Sequence, residues 1–333
     1  MSEANAKDET PQLSFGERIR YTFETLGFFI LIGFFKLFGI DRASNIGAWI
    51  GRELVAPSGM SKPAYANLRA AYPDKSLDDI TRIVIGMWDN LGRVLGEYAH
   101  LGKLKYKSAS PRIEVVGLEN LHAAQARGKG LLIVSAHFAN WEVMPFAARD
   151  YGLTGAMVTR PTNNPFVSRW LDGQRSRYGM PEQIAKGAQG TRRIFSLLRK
   201  GECILMLVDQ RTGEGIPAPF FGRDAMTTPA PAALAIKLGA VILPVWNERI
   251  GGAHFRMHVD PMIAPPNSGD GDRDTLALTA KINAWVEARV RERPEQWLWI
   301  HRRWSDKGAK MKKRAQALVG AGDEATNEGS SLT

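Results

Sequence analysis

With 333 residues, 44% of them hydrophobic, the chain is long enough for one large domain or two small ones around a sizeable core. Its formal net charge of +10, from 44 Lys and Arg against 34 Asp and Glu, points to an anionic partner: nucleic acid, an anionic membrane surface or an acidic protein. The single cysteine, Cys203, excludes an internal disulfide and a thiolate metal cluster, in keeping with a reducing cytosol.

In chain order, residues 1–14 are polar and are expected to form a disordered tail. From Tyr21 to Ile40 the composition turns apolar, with no charge between Glu24 and Lys36. Phe28, Phe29, Ile30, Leu31, Ile32, Phe34 and Phe35 surround every side of a helix. The uninterrupted run is shorter than the ~20 residues of a clean membrane span, but Lys36 can snorkel and lengthen it. Residues 15–55 are therefore read as a hydrophobic membrane-anchor region, with a buried core helix as the alternative. No convincing small-residue cleavage site follows, which argues against a signal peptide. Arg18 and Arg20 precede the run and Lys36, Arg42 and Arg52 flank its far side, so basic residues set no orientation.

Residues 56–110 form a helical subregion. Lys62–Ala71 and 77–101 carry apolar residues at helical spacing, Pro73-Asp74 separates them, and Ser76 is the N-cap of the second. His100 is expected at the end of that helix as a cation favoured by the helix dipole. From residue 111 to 305 the rhythm changes. Short apolar runs at 113–116, 131–135, 156–159, 204–208, 241–245 and 255–259 alternate with helical patterns at 141–150, 165–178, 190–200, 229–238 and 274–293. This alternation predicts an α/β fold with a largely parallel sheet flanked by helices. Residues 306–333 are read as a basic patch, 307–314, followed by a low-complexity tail.

In open α/β sheets ligands collect at the carboxyl ends of the strands. Three runs end on polar residues: 131–135 leads to His137, 156–159 into Arg160, and 204–208 into Asp209, Gln210 and Arg211. One such ending means little; three together point to a shared site. His137 lies five residues before Glu142, and two helical residues at that spacing would point about 140° apart. The two meet only if His137 precedes the helix and Glu142 sits in its first turn, a placement Asn140 supports as N-cap. Such a pair is a general base with its orienting carboxylate. Arg160, beside Pro161 and Asn163, suits anion binding. Asp209 reads either as part of the site or as a cap, and Arg175 either as functional or as a solvated helix face. No G-x-S-x-G elbow, H-E-x-x-H zinc motif or P-loop is present. Cys203 lies inside an apolar strand, where a thiol is inert. The interleaved aromatics and cations of 294–304 fit either nucleic-acid stacking or a membrane-interface surface.

Taken together these segments resemble the bacterial lipid A late acyltransferases (lauroyl/myristoyl-type), within the lysophospholipid acyltransferases that carry an HX4D/E motif. His137 to Glu142 matches that motif. Arg160-Pro161 with Asn164-Pro165 is similar to the family's second block, and Asp209-Gln210 with Phe220-Phe221-Gly222 and Thr227-Thr228 to its third. Pro244 and the segment 294–303 resemble the fourth and closing blocks. HX4E alone is weakly specific, whereas the ordered set, spanning about residues 15–305, is strong.

The resemblance implies an acyltransferase that moves a fatty acyl chain from acyl-acyl carrier protein to a hydroxyl of a lipid A precursor. It implies work at the cytoplasmic face of the cell inner membrane, with no metal or other cofactor, no covalent enzyme intermediate and no nucleic acid. His137 would be the general base and Glu142 its orienting partner. Arg160, Asn164, Asp209, Gln210 and Arg175 would bind substrate. The alternatives are an acyltransferase with a glycerolipid or glycosylated lipid acceptor, and a non-catalytic basic protein that binds membranes.

Overall fold

The structure is a computed structural model, described here for residues 13–104 and 111–304. The expected N-terminal tail, apart from its last two residues, and the basic and low-complexity C-terminal stretch lie outside the described residues.

Four helices come first: α1 (Phe15–Lys36), α2 (Ile40–Trp49), α3 (Lys62–Ala71) and α4 (Leu77–Tyr98). Ser14 and Glu17 build a reciprocal capping box that starts α1. Ser76 caps α4 by accepting from Asp79 N–H, as its position predicts. A π-helical turn, Ile50–Val55, extends α2. The backbones of α2 and α4 come into direct contact: a Cβ at Gly92 would lie 2.0 Å from the carbonyl oxygen of Gly47. Glycine at both positions is what allows this approach.

No helix among the described residues is long and apolar enough to cross a membrane. Tyr21, Ile32 and Phe35 of α1 are buried, and Phe28 packs edge-on against Trp170 at 5.2 Å. The opposite face leaves Phe15, Ile19, Phe23, Leu26, Ile30, Phe34 and Leu37 exposed, a stripe at three- and four-residue spacing. His100 is buried, with Nε2 3.1 Å from the Phe35 carbonyl oxygen at the end of α1. Burial holds its pKa below the ordinary value, so it is a neutral hydrogen-bond partner there rather than the expected cation on a helix end.

The remaining chain builds the α/β layers. Its strands are β1 (Ile113–Val116), β2 (Leu131–Ser135), β3 (Gly155–Thr159), β4 (Glu182–Ala185), β5 (Cys203–Leu207), β6 (Ile216–Phe220), β7 (Arg223–Thr227), β8 (Val241–Gly251) and β9 (His254–Val259). Its helices are α5 (Leu118–Gln125), α6 (Met144–Asp150), α7 (Pro165–Tyr178), α8 (Ala188–Arg199), α9 (Ala230–Leu238) and α10 (Gly271–Glu292). The main sheet runs β1-β9-β8-β2-β5-β3-β4. Strands β8, β2, β5, β3 and β4 are parallel, and β9 turns back against β8 as an antiparallel hairpin. The largely parallel sheet flanked by helices is thus present as expected.

Strand β2 is buried along its whole length, and its side chains alternate between two cores. Leu132 and Val134 join Ile204 and Met206 on one face, and Leu131 and Ile133 join Leu205 and Leu243 on the other. Four elements escaped the sequence reading: α5, β4 and the hairpin β6–β7. Helix α5 is eight residues long, β4 is four residues with a single buried side chain, and β6 contains Pro217 and Pro219, which count against a strand.

Candidate active site

Four parallel neighbours, β2, β5, β3 and β4, deliver their carboxyl ends to one edge of the sheet. His137 follows β2, Asp209 and Gln210 follow β5, Arg160 follows β3 and Lys186 follows β4. His137, Arg160 and Lys186 line a common cleft of about 130 Å³ with Trp141, Arg175 and Leu207.

The carboxylate that holds His137 is Asp209. Its Oδ1 lies 2.8 Å from His137 Nδ1, and its Oδ2 accepts the His137 backbone N–H at 3.0 Å. Oδ2 also accepts Trp297 Nε1–H at 2.7 Å. An ionised carboxylate only accepts, so the imidazole proton sits on Nδ1 and the Nε2 lone pair faces the cleft. Gln210 Nε2 lies 3.2 Å from that lone pair and donates to it. Burial alone would push the Asp209 carboxyl up, but the charge that His137 carries when protonated, the His137 hydrogen bonds and the Trp297 donor outweigh it and bring it to about 2. His137 packs edge-on against Trp141 with ring centres 5.1 Å apart, and His301 lies 6.1 Å from it. Burial lowers the pKa of His301, and the His137 charge lowers it further.

Glu142 does not take the part expected of it. Asn140 caps the segment, accepting from Glu142 N–H at 3.1 Å, but a 3-10 turn at Trp141–Val143 precedes α6. That geometry sends the Glu142 carboxylate toward α4 and α7, and no hydrogen bond joins it to His137. Its oxygens accept Arg175 Nη2 at 2.6 Å and Nε at 2.9 Å, a fork-on-carboxylate pair, and Tyr98 O–H at 3.1 Å. Burial of Glu142 opposes ionisation, yet Arg175 more than offsets it and the pKa falls below its ordinary value. The Arg175 guanidinium is correspondingly held charged by Glu142.

Breaking a buried ion pair from one side leaves the other charge uncompensated, which costs about 3–5 kcal/mol. Glu142→Gln is therefore expected to destabilise the fold by that amount in thermal unfolding. Glu142→Gln combined with Arg175→Met should recover most of the loss. Unchanged unfolding in the single variant would contradict the pairing.

Arg175, expected to bind substrate, has its donors engaged by Glu142 and by Asp172 at 3.3 Å, although it still forms part of the cleft wall. Asn164, expected in the same role, is buried and caps α7. Its Oδ1 accepts Phe166 N–H at 3.0 Å and Val167 N–H at 3.3 Å, and its Nδ2 donates to the Tyr21 carbonyl at 3.0 Å. Its amide thus fastens α7 to α1 and lies outside the cleft. Arg160 is exposed, and neither it nor Lys186 forms an ion pair among the described residues. Lys186 was missed because its strand was missed; a cation just after a strand is the signal that would have found it. From sequence, Trp297 and His301 belong to the aromatic, basic run and to the closing block of the resemblance, with no role of their own.

The arrangement offers a base whose Nε2 lone pair faces the cleft and meets only the Gln210 amide, a fixed carboxylate behind it and, among the described residues, two cations without an ion-pair partner beside it. That combination has the chemistry needed to deprotonate a hydroxyl next to an anionic group.

A family model described as bacterial lipid A biosynthesis acyltransferase matches residues 14–306. A lipid A biosynthesis lauroyltransferase of Escherichia coli (strain K12) is 28% identical over 250 residues, 73% of this chain and 78% of the relative. A lipid A biosynthesis palmitoleoyltransferase of the same strain is 28% identical over 249 residues, 72% of this chain and 77% of the relative. A phosphatidylinositol mannoside acyltransferase of Mycobacterium tuberculosis (strain ATCC 25618 / H37Rv) is 24% identical over 223 residues, 65% of this chain and 68% of the relative.

Proposed function

The chain belongs to the bacterial lipid A biosynthesis acyltransferases, and from that premise we propose that it transfers an acyl chain from acyl-acyl carrier protein to a hydroxyl of a lipid A precursor. The observation that carries the reading is the His137–Asp209 pair, with Nε2 facing a cleft flanked by Arg160 and Lys186. His137 Nε2 takes the proton of the acceptor hydroxyl as that oxygen attacks the thioester carbonyl. The tetrahedral intermediate then collapses, the carbon–sulfur bond breaks, and the His137 imidazolium passes its proton to the departing sulfur, so the carrier leaves as its thiol and the base is restored. Asp209 keeps the tautomer and stabilises the imidazolium. Arg160 and Lys186 bind a phosphate of either substrate. A net charge of +10 suits an acidic donor protein and a phosphorylated acceptor alike.

Purified full-length chain, supplied with a phosphorylated lipid A precursor, should acylate it from acyl-acyl carrier protein. Transfer from acyl-coenzyme A at the same rate would overturn the donor assignment. The mycobacterial relative's name supports a second reading, in which the acceptor is a glycosylated glycerolipid. Acceptor profiling in the same assay separates the two. The lauroyl- and palmitoleoyltransferases match this chain at the same 28% identity, so similarity does not select a chain length.

The exposed stripe of α1 supports a place at a membrane surface, and we propose the cytoplasmic side of the inner membrane as the one where an acyl-acyl carrier protein donor is met. A helix of 22 residues with one apolar stripe suits the interfacial plane, its apolar face among the acyl chains. Flotation with anionic vesicles should recover the wild-type chain, and Phe23→Glu with Ile30→Glu should abolish recovery. Vesicle binding unchanged in that double variant would contradict this placement of α1.

A further inference from the structure

A second polar cluster lies behind the catalytic turn and is not used in the chemistry above. Ala139, two residues after His137, is fully buried with φ at 46°, a left-handed conformation that an L-residue keeps only when its surroundings enforce it. Both of its backbone groups are held. Its N–H donates to the Gln296 carbonyl at 2.9 Å, and its carbonyl accepts Asn90 Nδ2–H at 3.1 Å. The next residue is held as firmly: Asn140 Nδ2 donates to Glu97 at 2.9 Å, and the Asn140 carbonyl accepts Asn247 Nδ2–H at 3.2 Å.

Behind these contacts Arg249 ties the cluster together. Its Nε donates to Asn90 Oδ1 at 2.9 Å, and its guanidinium pairs with Glu97, which also accepts Ser44 O–H at 2.8 Å. Gln296 closes the ring, accepting Arg249 N–H at 2.7 Å while its own carbonyl holds Ala139. Glu97 is fully buried, and Asn90 and the Arg249 side chain nearly so. A charged pair buried this deeply is a weak source of stability, because desolvation opposes its attraction. What it provides is a fixed direction for the amide of Asn90.

We propose that Asn90, itself aimed by Arg249 and Glu97, is a positioning residue for acyl transfer: it locks Ala139 in the left-handed turn that sets His137 against Asp209 and the cleft. Helix α4 of the N-terminal helical subregion thereby governs the catalytic turn of the α/β layers. The inference rests on the reading of His137 as the base. It goes beyond that reading, because Asn90 touches neither substrate nor imidazole.

The test compares kcat, KM and thermal unfolding for Asn90→Ala, Asn90→Asp, Ala139→Gly and the double variant Asn90→Ala/Ala139→Gly, all as full-length chains assayed well below their unfolding temperatures. Asn90→Asp keeps the shape and the acceptor for Arg249 but cannot donate to Ala139, so it serves if the alanine variant fails to fold. Displacement of a catalytic group by about 1 Å can cost 10²-fold in rate. Loss of the Asn90 donor should accordingly lower kcat about 10- to 100-fold with KM for either substrate within about twofold. Glycine adopts positive φ freely, so Ala139→Gly should be near wild type alone and should return the double variant to within about fivefold of it. A merely structural role would not confine the change to kcat. The proposal is overturned if the Asn90 variants keep kcat within twofold, if KM carries the loss, or if the glycine fails to rescue. Activity that survives His137→Ala would instead remove the reading on which it rests.

Discussion

Replacing His137 with alanine should lower acyl-transfer turnover by about 10²–10⁴-fold, the usual worth of a positioned general base, while leaving the fold intact. The side chain makes few contacts that hold the fold: its ring faces Trp141 and His301 and is not part of either hydrophobic core. It lines the cleft, its Nε2 meets only Gln210, and its removal leaves Asp209 still bonded to the backbone N–H of residue 137 and to Trp297 Nε1–H. The remaining activity would reflect binding and orientation of the two substrates. Near-normal turnover in a folded His137→Ala chain would end the mechanism.

Asp209→Asn should be nearly as damaging, on the order of 10²–10⁴-fold, for a different reason. An amide facing Nδ1 can present an N–H, which places the imidazole proton on Nε2 and removes the lone pair that accepts from the hydroxyl. The size of the loss should separate Asp209 from Glu142, whose replacement acts on stability through Arg175. Asp209 also leaves a signature in pH. Its folded pKa of about 2 lies below its ordinary 3.8, so ionisation favours the folded state above the ordinary value. That contribution, about 2 kcal/mol, is fully present above about pH 4 and is lost as pH falls toward 2. Acid unfolding of the asparagine variant should lack this component. A variant whose stability falls over that window as steeply as wild type would contradict the assignment.

Much of the site is written in local sequence. His137, Arg160, Asp209 and Gln210 each follow an apolar run, and the rule that ligands gather at strand ends brings them together without knowledge of strand order. The partner of His137 is not written there. Glu142 stands five residues away and Asp209 seventy-two, and only the parallel pairing of β2 with β5, register Ser135 opposite Leu207, decides between them. A single positive-φ residue, Ala139, and a 3-10 turn turn Glu142 elsewhere, and neither has a sequence signal. Asn164 is implied as a binding residue by the second block of the resemblance, and Arg175 reads either as functional or as a solvated helix face. Their donors are in fact engaged by α1 and by Glu142, contacts between segments far apart in the chain. In α1 the composition is apolar all round, yet tertiary packing against Trp170 and α4 buries one face and leaves a stripe.

The central claim, acylation of a lipid A precursor with His137 as the base, is tested most directly by mass spectrometry of lipid A from cells carrying and lacking the gene. Lipid A from the deletion strain should be lighter by the mass of one acyl chain, with the difference restored by the wild-type gene and not by the His137→Ala allele. Identical lipid A in the two strains, or restoration by the His137→Ala allele, would contradict it.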